Sequence, residues 1–241
     1  MSADLISLKE QHPELMPKTV GIILDGNRRW AKARGLKEIE GHRAAIEGMR
    51  NLIYRAGALG VKSITFWIFS TENFTRSTDF VDNIFSLARE YLRTGKYFKE
   101  ITDNGGKLGI FGDLTLFPKD IANDVFKFIS ESNPKESKIN VNFAIGYGGR
   151  DEILRAIKKY MSSGQDSSKL TEKTFKDFLD MKEDLDLVIR TGGNVRTSGF
   201  FPWQMIYSEM YFTKTLCPDF GVEEFDKAIL YFTTCARNFG K

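Results

Sequence analysis

The residues best suited to chemistry fall in four short segments, each directly after an apolar run. The first is Leu24-Asp25-Gly26-Asn27-Arg28-Arg29-Trp30. A carboxylate is followed by a glycine, which permits close backbone approach, and then by two arginines that open a helix. The free N–H groups of a helix start attract anions. Guanidinium groups add planar, multidentate contact to phosphate oxygens. Asp25 beside such a site suits a Mg2+ that bridges to a diphosphate. Taken alone, the segment is equally compatible with a helix cap and surface arginines.

The second segment, Phe69-Ser70-Thr71-Glu72-Asn73-Phe74-Thr75-Arg76, offers hydroxyls, an amide and a guanidinium. These can order a phosphate or orient a proton transfer, and an ordinary capped turn would use the same residues. The third, Gly146-Tyr147-Gly148-Gly149-Arg150-Asp151, permits unusual backbone angles. Arg150 reads as structural support through a carboxylate rather than as a substrate contact. The fourth is the densest: Arg190, Arg196 and Ser198 lie within nine residues and could hold one diphosphate between them. Glu209 follows as a second candidate Mg2+ ligand. His42, in Glu40-Gly41-His42-Arg43, is either a satisfied structural histidine or a phosphate donor. The chain has no Ser–His–Asp pattern, no Walker motif and no G-x-G-x-x-G fingerprint.

The elements that must position these residues are legible from hydropathy. Short runs that are apolar on both faces, as covered parallel strands are, lie at residues 20–24, 63–69, 108–111, 139–144 and 187–189, with a weaker one at 210–212. Helical patterns lie between them at 43–59, along Phe80, Ile84, Leu87, Ala88 and Tyr91, after Pro118, and at 151–161 and 222–239. Alternation of strand and helix predicts an α/β fold with a central, mainly parallel six-stranded sheet flanked by helices. In such sheets ligands sit outside the carboxyl ends of the strands, where the chemical segments fall.

A chain of 241 residues with 41% hydrophobic content can form a single α/β domain with a sizeable core. Residues 1–18 read as a polar N-terminal arm with a short helix ending near Pro17, and 19–241 as the domain. The arm lacks the apolar stretch of a signal peptide. The polar stretch 162–173 reads as a surface loop. A net charge of +3, with arginines clustered beside glycines, gives no extended nucleic-acid footprint. Cys217 and Cys235 form no C-x-x-C pair and read as reduced core residues of a cytoplasmic protein. No run approaches the roughly 18 apolar residues of a membrane span. The 20 phenylalanines fit either a packed core or a large apolar cavity.

The segments D-G-N-R-R-W-A, F-S-T-E-N, Y-G-G-R, D-L-V-I-R-T-G-G and Y-F-T…P-D-F, in this order from about Val20 to Gly240, resemble the cis-prenyltransferase family, which includes undecaprenyl diphosphate synthase. The resemblance implies a homodimer that condenses isopentenyl diphosphate with an allylic prenyl diphosphate, using Mg2+, and houses the growing chain in an apolar tunnel. By position it implies an allylic diphosphate site at Gly26, Asn27, Arg28, Arg29 and His42, and an isopentenyl diphosphate site at Arg190, Arg196 and Ser198. Catalytic roles fall to Asp25, Asn27, Asn73 and Arg76. Asp25 and Glu209 are the implied metal ligands, and Trp30, Ser70, Thr71, Glu72 and Phe74 the implied substrate loop. A lipid product implies peripheral membrane contact.

The chain departs from the family pattern in places. Glu38 stands where many members have an arginine, with Lys37 as a candidate replacement. Asn194 and Val195 replace a frequent Glu-His, and Asn238-Phe239-Gly240 occupies an R-x-G position, with Arg237 as a neighbouring substitute. Ile68 stands where long-chain members often have alanine, which points to a shorter product if it lines the tunnel. An irregular, head-to-middle coupling of allylic units and a non-catalytic subunit are the competing readings. Retention of Asp25, Asn27, Arg29, Arg76, Arg190, Arg196 and Glu209 argues against the subunit.

Overall fold

A computed structural model describes residues 2–131, 134 and 136–237. Six strands form one sheet: β1 (Thr19–Ile23), β2 (Ser63–Ser70), β3 (Gly106–Phe111), β4 (Ile139–Tyr147), β5 (Leu187–Arg190) and β6 (Glu209–Phe212). Their order is β3-β4-β2-β1-β5-β6, and every pairing is parallel. The helices are α1 (Ser2–Gln11), α2 (Asn27–Ala33), α3 (Glu38–Ala58), α4 (Thr78–Thr94), α5 (Lys96–Asp103), α6 (Lys119–Glu131), α7 (Gly149–Ser162), α8 (Glu172–Lys176) and α9 (Val222–Thr234). Every expected strand is present within a few residues. The short α5 and α8 were not expected, and the described part of the last helix stops at Thr234, short of the expected end at 239.

Side chains alternate across a strand, so the sheet divides its apolar residues between two layers. Val20, Ile22, Ile64, Phe66, Val141, Phe143, Leu187 and Ile189 share a core with α3 and α9 residues such as Met49, Leu52, Phe225 and Ile229. Ile23, Val188 and Ala144 face a second cluster with Met181, Leu185, Phe200 and Phe201. The first eighteen residues are polar in composition, yet Leu5 and Met16 are buried in the first core.

β1 continues through α2 and α3 to β2 on one side, whereas β5 leads to β6 on the other. Connections therefore leave two adjacent strands in opposite directions. The crevice at their carboxyl ends is the topological switch point where an open α/β sheet takes its ligand.

Candidate active site

Asp25 stands in this crevice, two residues beyond β1. Its carboxylate is crowded with donors: Arg190 Nη2 and Asn194 Nδ2 donate to Oδ2 at 2.9 and 2.7 Å, and Arg29 Nη2 donates to Oδ1 at 3.1 Å. Thr191 Oγ1 accepts from the Asp25 N–H at 2.9 Å and donates to its carbonyl at 2.7 Å, so the backbone is held as well. Burial pushes the carboxyl upward. Hydrogen bonds from Asn194 and Arg190, with the charges of Arg190 and Arg29, outweigh it and hold the group below its usual range. Asp25 is ionised, and its donors set its orientation.

The local sequence explains the placement. Gly26 caps α2 at φ +110°, a conformation costly for any residue with a Cβ, so the chain turns at once from strand into helix. Arg28, Arg29 and Lys32 then line one cleft from adjacent positions of that helix. Gly41 lets α3 press against α2, because a Cβ there would strike the Asn27 carbonyl oxygen. This contact brings His42 to Asn27, whose Nδ2 lies 3.4 Å from the imidazole Nδ1. Opposite them, Arg190 Nη1 donates to the Arg196 carbonyl at 2.6 Å and to Ser198 Oγ at 2.8 Å, and Ser198 sits at φ +54°.

The result is a cleft of about 660 Å3 lined by Asp25, Gly26, Asn27, Arg28, Arg29, Lys32, Glu38, His42, Ser70, Asn73, Arg76, Arg190, Asn194, Arg196 and Ser198. Cations outnumber carboxylates along its walls, as a polyanion site requires. Burial lowers the affinity of the Arg76 guanidinium for its proton, and the nearby Arg28 charge lowers it further. Such mutual repulsion among cations is relieved by an anion between them.

A second cavity, of about 150 Å3, runs between α3, α4 and the sheet. Its lining is almost wholly apolar and includes Met49, Ile84, Ala88, Phe98, Leu108, Phe128 and Phe143. The two spaces share Leu24, Asn27, His42, Ile68 and Phe69, so the cavity opens into the cleft at this neck. Two polar atoms at the neck, Asn27 Oδ1 and His42 Nε2, are buried without a hydrogen-bond partner in the structure. Unpaired buried groups are costly and commonly mark a ligand's place.

Residues 23–240 match the family described as putative undecaprenyl diphosphate synthase. The chain belongs to this family. It is 39% identical over 238 residues to an isoprenyl transferase of Lactococcus lactis, covering 96% of each chain. Its fold superposes with a TM-score of 0.88 on lavandulyl diphosphate synthase from Lavandula x intermedia, solved with dimethylallyl diphosphate, at 32% identity over 95% of this chain and 100% of that one. For a probable undecaprenyl diphosphate synthase of Campylobacter jejuni the TM-score is 0.79, at 29% identity over 93% and 99% of the two chains. Relatives across the family carry prenyl-transferring names, and this chain is an enzyme of that class.

Within this member of the undecaprenyl diphosphate synthase family, most residues expected at the site do converge on the cleft, and several do not. Glu209 is one that does not. It pairs with Leu187, which pairs with Val20, five positions before Asp25. That places it three residues, about 10 Å at ~3.3 Å per residue, back down the sheet from the end of β1, beyond which Asp25 stands. It neighbours Tyr231 and Cys235 instead. Trp30 turns away from the cleft, donating its indole N–H to Asp219 at 2.7 Å under the Arg34 guanidinium. Phe74 packs between Phe69, Phe85 and Phe117. Thr71 abuts Gly148, where a Cβ would collide with Thr71 Oγ1, and Glu72 is exposed. Of this loop, Ser70, Asn73 and Arg76 reach the cleft.

The neighbouring expectations shift in the same way. Lys32, rather than Lys37, lines the cleft near Glu38. The carboxylate grip expected of Arg150 belongs to Arg155, which holds Asp180 at 2.7 and 2.6 Å and Asp151 at 2.7 Å. Arg237 is engaged by Asp186 at 2.9 Å. Asn238, Phe239 and Gly240 lie outside the described residues. Sequence reading missed Thr191 and Lys32. Lys32 had a readable signal, because it stands one helical turn after Arg28.

Proposed function

We propose that this enzyme is a Mg2+-dependent cis-prenyltransferase. It condenses isopentenyl diphosphate with an allylic prenyl diphosphate, forms a new Z double bond and releases inorganic diphosphate. The observation that carries this reading is the junction of a cationic cleft with an apolar cavity at Asn27, His42 and Ile68. A ligand with a diphosphate head and a hydrocarbon tail fits across that neck.

In this reading Gly26, Asn27, Arg28, Arg29, His42 and Arg76 take the allylic diphosphate, and its tail passes Ile68 into the cavity. Arg190, Arg196 and Ser198 take isopentenyl diphosphate. The electron pair of the allylic C–O bond leaves with the diphosphate, where the arginines stabilise the developing charge. The isopentenyl π pair forms the new C–C bond, and loss of a C2 proton restores an alkene. Asn73 Oδ1 already accepts from the Ser70 N–H at 3.0 Å, so Asn73 presents its NH2 as a donor. The proton acceptor is therefore assigned to a diphosphate oxygen, with Asn73 orienting it.

The site's donor set suits a metal that arrives with its substrate. The described residues contain no cluster of three or more His, Cys, Asp or Glu that could cage an ion. Mg2+ is commonly held by one or two carboxylates plus substrate phosphates, and Asp25, which is one-quarter exposed, offers one. Bound there, the ion would neutralise charge on the leaving diphosphate. We further propose a homodimer in the cytoplasm, touching membranes peripherally through its lipid product.

The test is product analysis. The protein, Mg2+ and labelled isopentenyl diphosphate are incubated with dimethylallyl, geranyl, farnesyl or geranylgeranyl diphosphate. Linear Z-prenyl products are expected, and Asp25→Ala is expected to abolish them. Full turnover by Asp25→Ala would sink the mechanism. A second reading, irregular coupling of two allylic units, is favoured by the likeness to lavandulyl diphosphate synthase solved with dimethylallyl diphosphate. Branched product from dimethylallyl diphosphate alone would establish it.

A further inference from the structure

The cleft built for an anion contains a carboxylate of its own. Glu38, the first residue of α3, lines it and clasps Arg28 as a fork, with Nη2–Oε1 at 2.8 Å and Nε–Oε2 at 2.6 Å. The N–H pair given to Glu38 is the planar pair that would otherwise grip a phosphate. Glu40, on the same turn, faces Arg43 at 3.3 Å and takes no part in the cleft lining. Asp25 is different, because its contacts fix Arg29 and Arg190 in place. Arg76 and Lys32 make no ion pair among the described residues and remain ready for a ligand.

Resting on the diphosphate reading above, we propose that Glu38 is a release residue: it competes with bound diphosphate for Arg28 and weakens the cleft's hold on the inorganic diphosphate left after each condensation. When the allylic C–O bond breaks, the ester oxygen becomes a further anionic oxygen. The departing diphosphate therefore binds the cations more tightly than the ester it came from. A cleft of arginines alone would retain its product. A carboxylate that offers Arg28 a standing alternative lowers that affinity from the α2–α3 side of the cleft, with no hydrogen bond to Arg190, Arg196 or Ser198 on the isopentenyl side.

The test is binding of inorganic diphosphate to the full chain, measured by calorimetry with and without Mg2+, alongside product-inhibition kinetics. Glu38→Gln is expected to bind diphosphate about threefold more tightly, the scale of a half-exposed ion pair. Its inhibition constant against the allylic substrate falls in proportion, and KM for isopentenyl diphosphate stays unchanged. Glu40→Gln is expected to change neither. In an Arg28→Gln background the gain from Glu38→Gln disappears, which separates competition for Arg28 from a general charge effect. Unchanged or weaker binding by Glu38→Gln, equal gain from Glu40→Gln, a gain that survives Arg28→Gln, or no diphosphate binding at all would each overturn the proposal. Tighter diphosphate binding in a protein that makes no prenyl product would instead retain the competition and remove the prenyltransferase reading.

Discussion

At the scale of single residues, Asp25 and His42 have opposite electrostatic fates, and each yields a prediction. Asp25 is held ionised by Asn194, Arg190 and Arg29. Asp25→Asn keeps the shape and removes the charge, and a fall in turnover of at least about 100-fold is expected, the scale of losing one preorganised electrostatic group. His42 is pushed down to about 4 by burial, with Arg76 and Arg28 adding to the shift and Glu38 opposing it. Between that value and the ordinary one near 6.5, the unfolded chain binds a proton that the folded chain does not. Stability is therefore lost as pH falls through this window, by up to about 3 kcal/mol for this one group. Thermal melts from pH 7 to 4 are expected to fall less steeply for His42→Asn than for the parent, and parallel curves would remove His42 as a cause. Ile68 narrows the neck between cleft and cavity. Ile68→Ala is expected to lengthen the product by one or more C5 units on chromatography, and an unchanged product would place the length limit elsewhere.

At the scale of elements, the buried Glu152 on α7 explains how the fourth segment is aimed. Its Oε2 accepts from Tyr147 OH at 2.6 Å, and its Oε1 from the Asp180 N–H at 2.9 Å and Gln204 Nε2 at 3.1 Å. Tyr147 stacks on Phe201 at 4.0 Å, and the Gly149 N–H donates to the Gly199 carbonyl at 2.9 Å. The end of β4 thus braces the turn that presents Ser198. Glu152→Gln removes the charge these donors share and makes the Tyr147 hydroxyl turn round to accept from the new NH2, so a loss of about 2 kcal/mol is expected in denaturant melts. KM for isopentenyl diphosphate is expected to rise more than KM for the allylic substrate, whereas a purely structural role would move both alike. Glu152 had no signal in the sequence beyond lying on a helix. The strands were legible because covered parallel strands are short and largely apolar on both faces, as Leu187 to Ile189 shows. α5 and α8 were not, because elements of eight and five residues hold too few turns for a periodic signal. The residues expected at the site that do not line the cleft, Trp30, Thr71, Glu72, Phe74 and Glu209, were misplaced for one reason. Proximity along the chain says which loop a side chain leaves, whereas packing and register decide where it points.

At the scale of the whole molecule, the β6 edge of the sheet has no second strand among the described residues. β6 pairs with β5 on one side, and its four residues are all partly exposed. Just before it Ile206 is 73% exposed, and on α9 Leu230 and Tyr231 add apolar surface. An open parallel edge bordered by apolar side chains is a liability that proteins cover. The homodimer implied by the family resemblance would cover it with a second copy. A stable interface of this kind buries on the order of 1,200–2,000 Å2, too much to rest on Ile206 alone. A charge buried anywhere within it would nevertheless cost several kcal/mol, because it leaves water without a partner. Ile206→Asp is therefore expected to shift the species seen by light scattering from dimer to monomer while the monomer's circular dichroism is retained. A dimer that survives this substitution at low micromolar concentration would place the interface on another face. A parent that is already monomeric would remove the dimer from the proposed function and leave β6 as a solvated edge.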